Sequence, residues 1–239
     1  MEFDIITAFP AMFEGPLSQS IVRRARDGRL VEVRLHDLRD FADDRHRKID
    51  DVPYGGGGGM VLLPRPLFAA VETIQERHPA GSSRTVLLCP QGTCYDQEQA
   101  RRLSGYARLI LICGHYEGVD ERVREHLADE SISIGDYILT GGEIPAMVLV
   151  DSLTRLVPGA LGDENAARRD TFSEEGFDYP QYTRPADFRG LKVPEVLLSG
   201  NHGRIAAWRK TRAQEETARK RPDLLKPRAR GRAAAMRDH

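Results

Sequence analysis

The chain has little cysteine, one tryptophan and no long apolar run. Its three cysteines, Cys89, Cys94 and Cys113, form no Cys-x-x-Cys pair, and an odd number excludes a framework in which every cysteine is bridged. Cys89 and Cys113 end apolar runs and read as buried thiols, so a reducing cytoplasm is the expected setting. No histidine–cysteine group has zinc-ligand spacing, and no metal ligand is assigned. No apolar run reaches the ~18 residues of a membrane span. Met1-Glu2-Phe3-Asp4 lacks the basic start of a secretory leader, so no membrane partner is expected. The absence of a repeat of about 20–50 residues argues against a solenoid.

What is present suits a soluble globular protein: 239 residues, 40% hydrophobic and 30% charged. That length holds one large domain, or a core domain with a small appendage. The net charge is −1, but it is unevenly spread. From Gly203 onward 12 Lys/Arg stand against 4 Asp/Glu, a local +8 on a body of −9. Such a basic end reads either as a nucleic-acid contact or as a solvated tail.

Along the chain, residues 3–8 read as a buried strand and 17–27 as a helix closed by Gly28 at its left-handed end position. Strand 31–35 follows, then a long, charged, glycine-rich loop over 37–59. Helix 66–77, strand 85–89, helix 96–103, strand 109–113, helix 121–127, strand 130–134 and helix 144–157 complete a β-α-β alternation. It predicts an α/β fold with a mainly parallel sheet. The expected divisions are a domain over 1–160, a polar linker over 161–182 and a small helical domain over 183–239. In the last of these, Asn201 caps a helix running to about Arg219, and Pro222-Asp223 opens a short turn.

Three strand ends carry glycine-punctuated turns. Leu88, Pro90, Gln91 and Gly92 form the first; Gly114, His115, Tyr116 and Glu117 form the second. The third, Ser133-Ile134-Gly135-Asp136-Tyr137-Ile138-Leu139, runs on through Gly141 and Gly142 to Pro145. Glycines there allow positive φ and close backbone approach to a ligand. Three such strand ends place one crevice at the carboxyl edge of the sheet. The lone His115 is assigned no chemistry.

Five consecutive glycines, 55–59, read as a phosphate cradle or as a flexible turn. No Lys-Ser/Thr follows, which excludes a P-loop. The stretch 43–51 mixes Arg45, His46 and Arg47 with acidic residues, and reads as a solvated charge cluster or as a nucleic-acid face. In the latter reading Arg45 and Arg47 meet phosphates, and the carboxylate of Asp50 accepts from a base edge. Guanine suits Asp50, because its N1–H and amino group are both donors.

These segments together resemble the bacterial tRNA (guanine-N1-)-methyltransferases, the TrmD type of the SPOUT superfamily. The likeness rests on Phe9-Pro10-x-Met12-Phe13, Asp43-Asp44-Arg45-His46-Arg47 and Asp50-Asp51-x-Pro53-Tyr54-Gly55-Gly56-Gly57. It continues through Gly118-x-Asp120-Glu121-Arg122, Tyr182-Thr183-Arg184-Pro185 and Leu197-Leu198-Ser199-Gly200-Asn201-His202. It covers nearly the whole chain. It departs at Gly58, where the family usually has proline, at His115, often arginine there, and at Gln181, where many relatives have histidine.

The resemblance implies a deep trefoil knot in the C-terminal part of the sheet. It also implies S-adenosylmethionine held by the three turns, stimulation by magnesium, and a homodimer with tRNA as substrate. It puts the glycine run, Gly59 included, near the target base; with tRNA as substrate, Arg209, Lys210 and Arg212 of the basic end are the expected phosphate contacts. It makes Asp170, in Asp170-Thr171-Phe172, the general base that removes the guanine N1 proton. Arg155, before Pro158-Gly159, becomes the cation that stabilises charge on O6. Without the resemblance, Asp170 reads as a surface carboxylate and Arg155 as a helix-terminal cation. The implied activity is N1 methylation of the guanosine 3′ of the anticodon, position 37. Alternatives are a SPOUT methyltransferase with another RNA target and a non-catalytic RNA-binding protein.

Overall fold

The structure is a computed structural model, and it describes residues 1–78, 83–162, 171–172 and 176–225. The chain divides into two compact units, Met1–Glu164 and Asn165–His239.

In the first unit the order is β1 (Glu2–Thr7), α1 (Ser20–Asp27), β2 (Glu32–Asp37), β3 (Asp50–Asp51), β4 (Val61–Leu62) and α2 (Pro64–Glu76). Then come β5 (Ser83–Cys94), α3 (Gln97–Leu103), β6 (Arg108–Cys113), α4 (Glu121–His126), β7 (Glu130–Ser133) and α5 (Glu143–Thr154). Five strands form one sheet in the order β2-β1-β6-β5-β7, and every pairing in it is parallel. The predicted α/β alternation with a mainly parallel sheet is therefore present.

Helices cover both faces, so the central strands read as unbroken apolar runs rather than alternating ones. Every residue of β6 is buried. Phe3, Ile5, Val86, Leu109 and Leu111 point to one face, packed with residues of α1, α3 and α5. Ile6, Leu87, Ile110 and Ile112 point to the other, against α2 and Val123 of α4. Each large side chain so enclosed contributes roughly 1.5–3 kcal/mol relative to exposure. Short side chains place the helix starts. Asp96 accepts from the Gln99 amide at 2.9 Å, and Asp120 from the Arg122 amide at 3.0 Å.

Two local readings need correction. Gly28 has φ −79°, and the left-handed residue that follows α1 is Arg29 at φ 57°. The first glycine turn interrupts β5 rather than ending it: Leu88 and Thr93 both stand opposite Ile132 of β7, and residues 89–92 loop out between them. A register shift against β7 between Leu88 and Thr93 absorbs the extra residues. Gly92 lies against the neighbouring strand so closely that a Cβ would collide with backbone of Ser131 and Ile132.

The second unit contains a two-stranded ribbon, β8 (Asp187–Phe188) with β9 (Leu191–Lys192), then α6 (Glu195–Leu198) and α7 (His202–Lys220). Asn201 caps α7 by accepting from the Arg204 amide at 3.1 Å. Part of the stretch read as a linker packs on this helix. The Phe177 amide donates to the Thr217 hydroxyl at 2.8 Å, and Thr217 is buried.

Candidate functional site

The loop within β5 and the carboxyl ends of β6 and β7 open into one cavity of about 520 Å³. Volumes of this order are usual for small-molecule sites. Its apolar wall includes Leu87, Leu88, Ile132, Leu139 and Pro145. Pro90, Gln91, Gly114, Tyr116, Glu117, Ser133, Ile134, Gly135, Tyr137, Ile138, Gly141 and Gly142 complete the predicted set that lines it. Gly92 and Asp136 were in the predicted set and do not line it. Gly92 serves the strand packing described above.

Backbone geometry builds the wall. In the second loop Tyr116 takes φ 61° and Gly118 φ 120°. In the third, Gly135 takes φ 150°, and its amide donates to the Ser133 hydroxyl at 3.3 Å. The expectation of positive φ fails at Gly142, which has φ −80°, and Gly141 is not among the positive-φ residues. Those two glycines are required by contact instead. A Cβ on Gly142 would lie 2.7 Å from Cys113 Cα, and one on Gly141 would overlap Glu143 Oε2 and His115 Nδ1. Tyr137 is 55% and Ile138 81% exposed, so the third loop ends in an uncovered apolar rim.

Several lining residues were missed by sequence reasoning: Cys89, His115, Val119, Arg124 and Thr140. Arg124 donates to Cys89 Sγ at 3.3 Å and pairs with Glu121 at 3.0 Å. The available signal was the i,i+3 spacing of Glu121 and Arg124 at the start of a helix after the second loop. Cys113 is a buried thiol, as expected, and burial together with the Glu143 charge pushes it well above the usual thiol range.

The glycine run approaches the same cavity. Four of its five glycines have positive φ, and Gly58 is the exception. A Cβ on Gly59 would come within 2.5 Å of the Glu117 side chain. The Glu117 amide donates to the Met60 carbonyl at 3.0 Å. Asp50 pairs with Leu62 in the β3–β4 ribbon and is half-buried. Arg45 and His46 are exposed, with Arg45 Nε donating to His46 Nε2 at 3.0 Å. Arg47 is ion-paired with Asp40.

Arg155 is half-buried at the C-terminal end of α5 and is not among the residues lining the cavity. Asp170 lies outside the described residues, as does the end of the basic tail. In the second unit, the Arg209 guanidinium sits 4.5 Å over the Tyr179 ring. Arg212 pairs with Glu215 at 2.7 Å, and Lys210 is exposed on the same helix. Among the described residues, no group of three or more His, Cys, Asp or Glu is arranged to hold a metal ion. Among them, too, no helix is long and apolar enough to cross a membrane.

The comparisons with known proteins agree with one another. A family model described as tRNA (Guanine-1)-methyltransferase TrmD matches residues 1–227. A tRNA (guanine-N(1)-)-methyltransferase of Geobacillus kaustophilus is 56% identical over 225 residues, covering 94% of this chain and 91% of that protein. The protein of the same name from Geobacter sulfurreducens is 53% identical, with the same two shares. That of Halalkalibacterium halodurans is 51% identical over 228 residues, covering 95% of this chain and 92% of its own.

Proposed function

The chain belongs to the tRNA (guanine-1)-methyltransferase family of the TrmD type, and on that premise we propose that it methylates N1 of a guanosine in tRNA, using S-adenosylmethionine. The nucleotide is the one 3′ of the anticodon. The observation that carries this reading is that one cavity of about 520 Å³ is walled by all three predicted strand ends.

The cavity fits the methyl donor. Gly141 and Gly142 leave bare backbone where any side chain would collide, and the apolar wall suits an adenine ring. Leu88, Leu139 and Pro145 would flank that ring, and backbone N–H and C=O groups of the second and third loops would read its polar edge. When bound, S-adenosylmethionine supplies an electrophilic methyl group on a sulfonium. Everything else falls to the protein. Asp170 accepts the N1 proton of guanine, which places an electron pair on the attacking nitrogen. Arg155, which does not line the cavity of its own chain, would stabilise the negative charge that develops on O6. Asp50 accepts from a guanine donor edge, and the glycine run lets the base approach Glu117. The remaining contribution is alignment of nitrogen and methyl carbon.

The same reading makes the enzyme a homodimer in which one copy supplies Asp170 to the cavity of the other. The exposed rim of Tyr137 and Ile138 suits burial against a second chain. It also threads the sheet as a trefoil knot and divides the chain into a catalytic domain, a linker bearing Asp170 and a helical tRNA-binding domain in the cytoplasm. Arg45, His46, Arg209, Lys210 and Arg212 would meet the tRNA backbone. No described residue is assigned to magnesium. Calorimetric titration with S-adenosylmethionine tests the cofactor half: saturable binding supports the reading, and no binding contradicts it.

A further inference from the structure

Two buried side-chain atoms among the described residues have no hydrogen-bond partner, His115 Nδ1 and Glu143 Oε2. They face each other at 3.6 Å. Buried polar atoms are rarely left unpaired, because each loses its hydration without replacement. A bare imidazole lone pair opposite a carboxylate would be repulsive as well as unsatisfied. A proton on Nδ1 turns both orphans into one charge-assisted hydrogen bond, after a shift of a few tenths of an ångström. The gap is too short for a bridging water.

The neighbours hold both groups in place. The other oxygen of Glu143, Oε1, accepts from the Thr7 hydroxyl at 2.8 Å, and Thr7 Oγ1 accepts from the Phe9 amide at 2.9 Å. The Phe9 ring packs on the His115 ring at 4.5 Å. The circuit Phe9, Thr7, Glu143, His115 thus closes on itself. It joins the end of β1, the start of α5 and the second loop. Tyr116 meets the His115 ring edge-on at 4.8 Å, Glu117 follows along the chain, the Cys113 thiol lies near Glu143, and Arg39 sits across Phe9 at 5.7 Å. Among the described residues, His115 is the basic side chain within ion-pair distance of Glu143.

We propose that His115 is a positioning residue: its protonated Nδ1 donates to Glu143 Oε2 and clasps the second glycine loop to the third, fixing the cavity wall. The backbone already marks this seam. His115 bridges Gly141, and the Gly142 amide donates to the Gly114 carbonyl at 2.7 Å. Gly141 has no room for a side chain because that side chain would enter the clasp. The consequence for cofactor affinity rests on the function proposed above; the clasp itself does not.

Three variants test it: His115→Leu removes the donor, His115→Asn keeps one near the Nδ1 position, and Glu143→Gln removes the acceptor charge. Hydrogen exchange of the Gly142 amide in the free chain reads the clasp directly. Exchange should be about 10-fold or more faster in His115→Leu and Glu143→Gln, and within about 3-fold of the parent in His115→Asn. The Kd for S-adenosylmethionine should rise in the same order. Equal Gly142 exchange in the parent and all three variants overturns the clasp, whether or not the cofactor binds. The expected exchange pattern in a chain that binds no S-adenosylmethionine upholds the clasp and defeats the proposed function instead. Equal acceleration by Leu and Asn assigns the effect to ring packing and overturns it too.

Discussion

The Gly142 amide donates to the Gly114 carbonyl at 2.7 Å, and a Cβ at position 142 would lie 2.7 Å from the Cα of Cys113. Two loops 28 residues apart in the chain therefore touch backbone to backbone. Only a residue without a side chain permits this, although its φ is one that any residue could adopt.

Gly142→Ala should therefore weaken both fold and site. The obstacle is backbone, which cannot swing aside, and overpacking of this kind costs about 1–3 kcal/mol. Thermal unfolding should show a lowered Tm, and the stabilisation normally given by S-adenosylmethionine should shrink. A variant with the parent's Tm and the parent's cofactor response would mean that the loops can separate freely.

Asp170→Asn should keep cofactor binding and lose turnover by ~10²–10⁴-fold, because the amide is nearly isosteric but cannot accept the N1 proton. Single-turnover methylation measured beside calorimetric titration separates the two effects. Near-parent turnover would remove Asp170 from the mechanism.

Acid stability should depend on Asp4, which is buried between His36 at 2.8 Å and Arg108 at 3.0 Å. Burial would raise its pKa, but the His36 hydrogen bond and the charges of His36, Arg108 and Arg34 outweigh it, and the value lies below the usual aspartate range. A depressed folded-state pKa contributes stability that is complete above the unfolded value of about 3.9 and lost as pH falls through the folded one. Asp4→Asn should cost about 3 kcal/mol near neutral pH. The difference from the parent should narrow below about pH 4, as the parent's own carboxylate is protonated. Urea titrations at several pH values check this, and a constant difference down to pH 2 would contradict it.

The sheet was legible because its central strands are buried on both faces and its helices start at readable caps such as Asp96 and Asp120. Convergence of the three strand ends followed from their shared place after apolar runs. Other features depend on contacts remote in sequence. The resumption of β5 at Thr93, beyond the looped residues 89–92, is set by its pairing with β7. The Thr217–Phe177 bond, which ties a polar stretch to a helix, spans 40 residues. The His115–Glu143 pair joins the second loop to the start of α5, and nothing local to either residue points to the other. The role of Asp170 came from resemblance to a family, and nothing local to that residue announces it.

Binding of tRNA should be strongly salt-dependent if α7 meets phosphates. Each lost contact lowers the slope of log K against log salt by roughly 0.7 to 0.9. Neutralising Arg209, Lys210 and Arg212 together should flatten that slope and weaken binding, with S-adenosylmethionine affinity unchanged. Arg212, Arg219 and Lys220 are each ion-paired on this helix, so Arg209 and Lys210 should carry most of the change. Identical slopes for parent and triple variant would leave the helix as a merely solvated face.

The most direct test of the account is nucleoside mass spectrometry of a tRNA transcript after incubation with the protein and isotope-labelled S-adenosylmethionine. The account predicts labelled 1-methylguanosine at the nucleotide 3′ of the anticodon, and none when that guanosine is replaced by adenosine. No labelled 1-methylguanosine, or the label at another nucleotide, would contradict it.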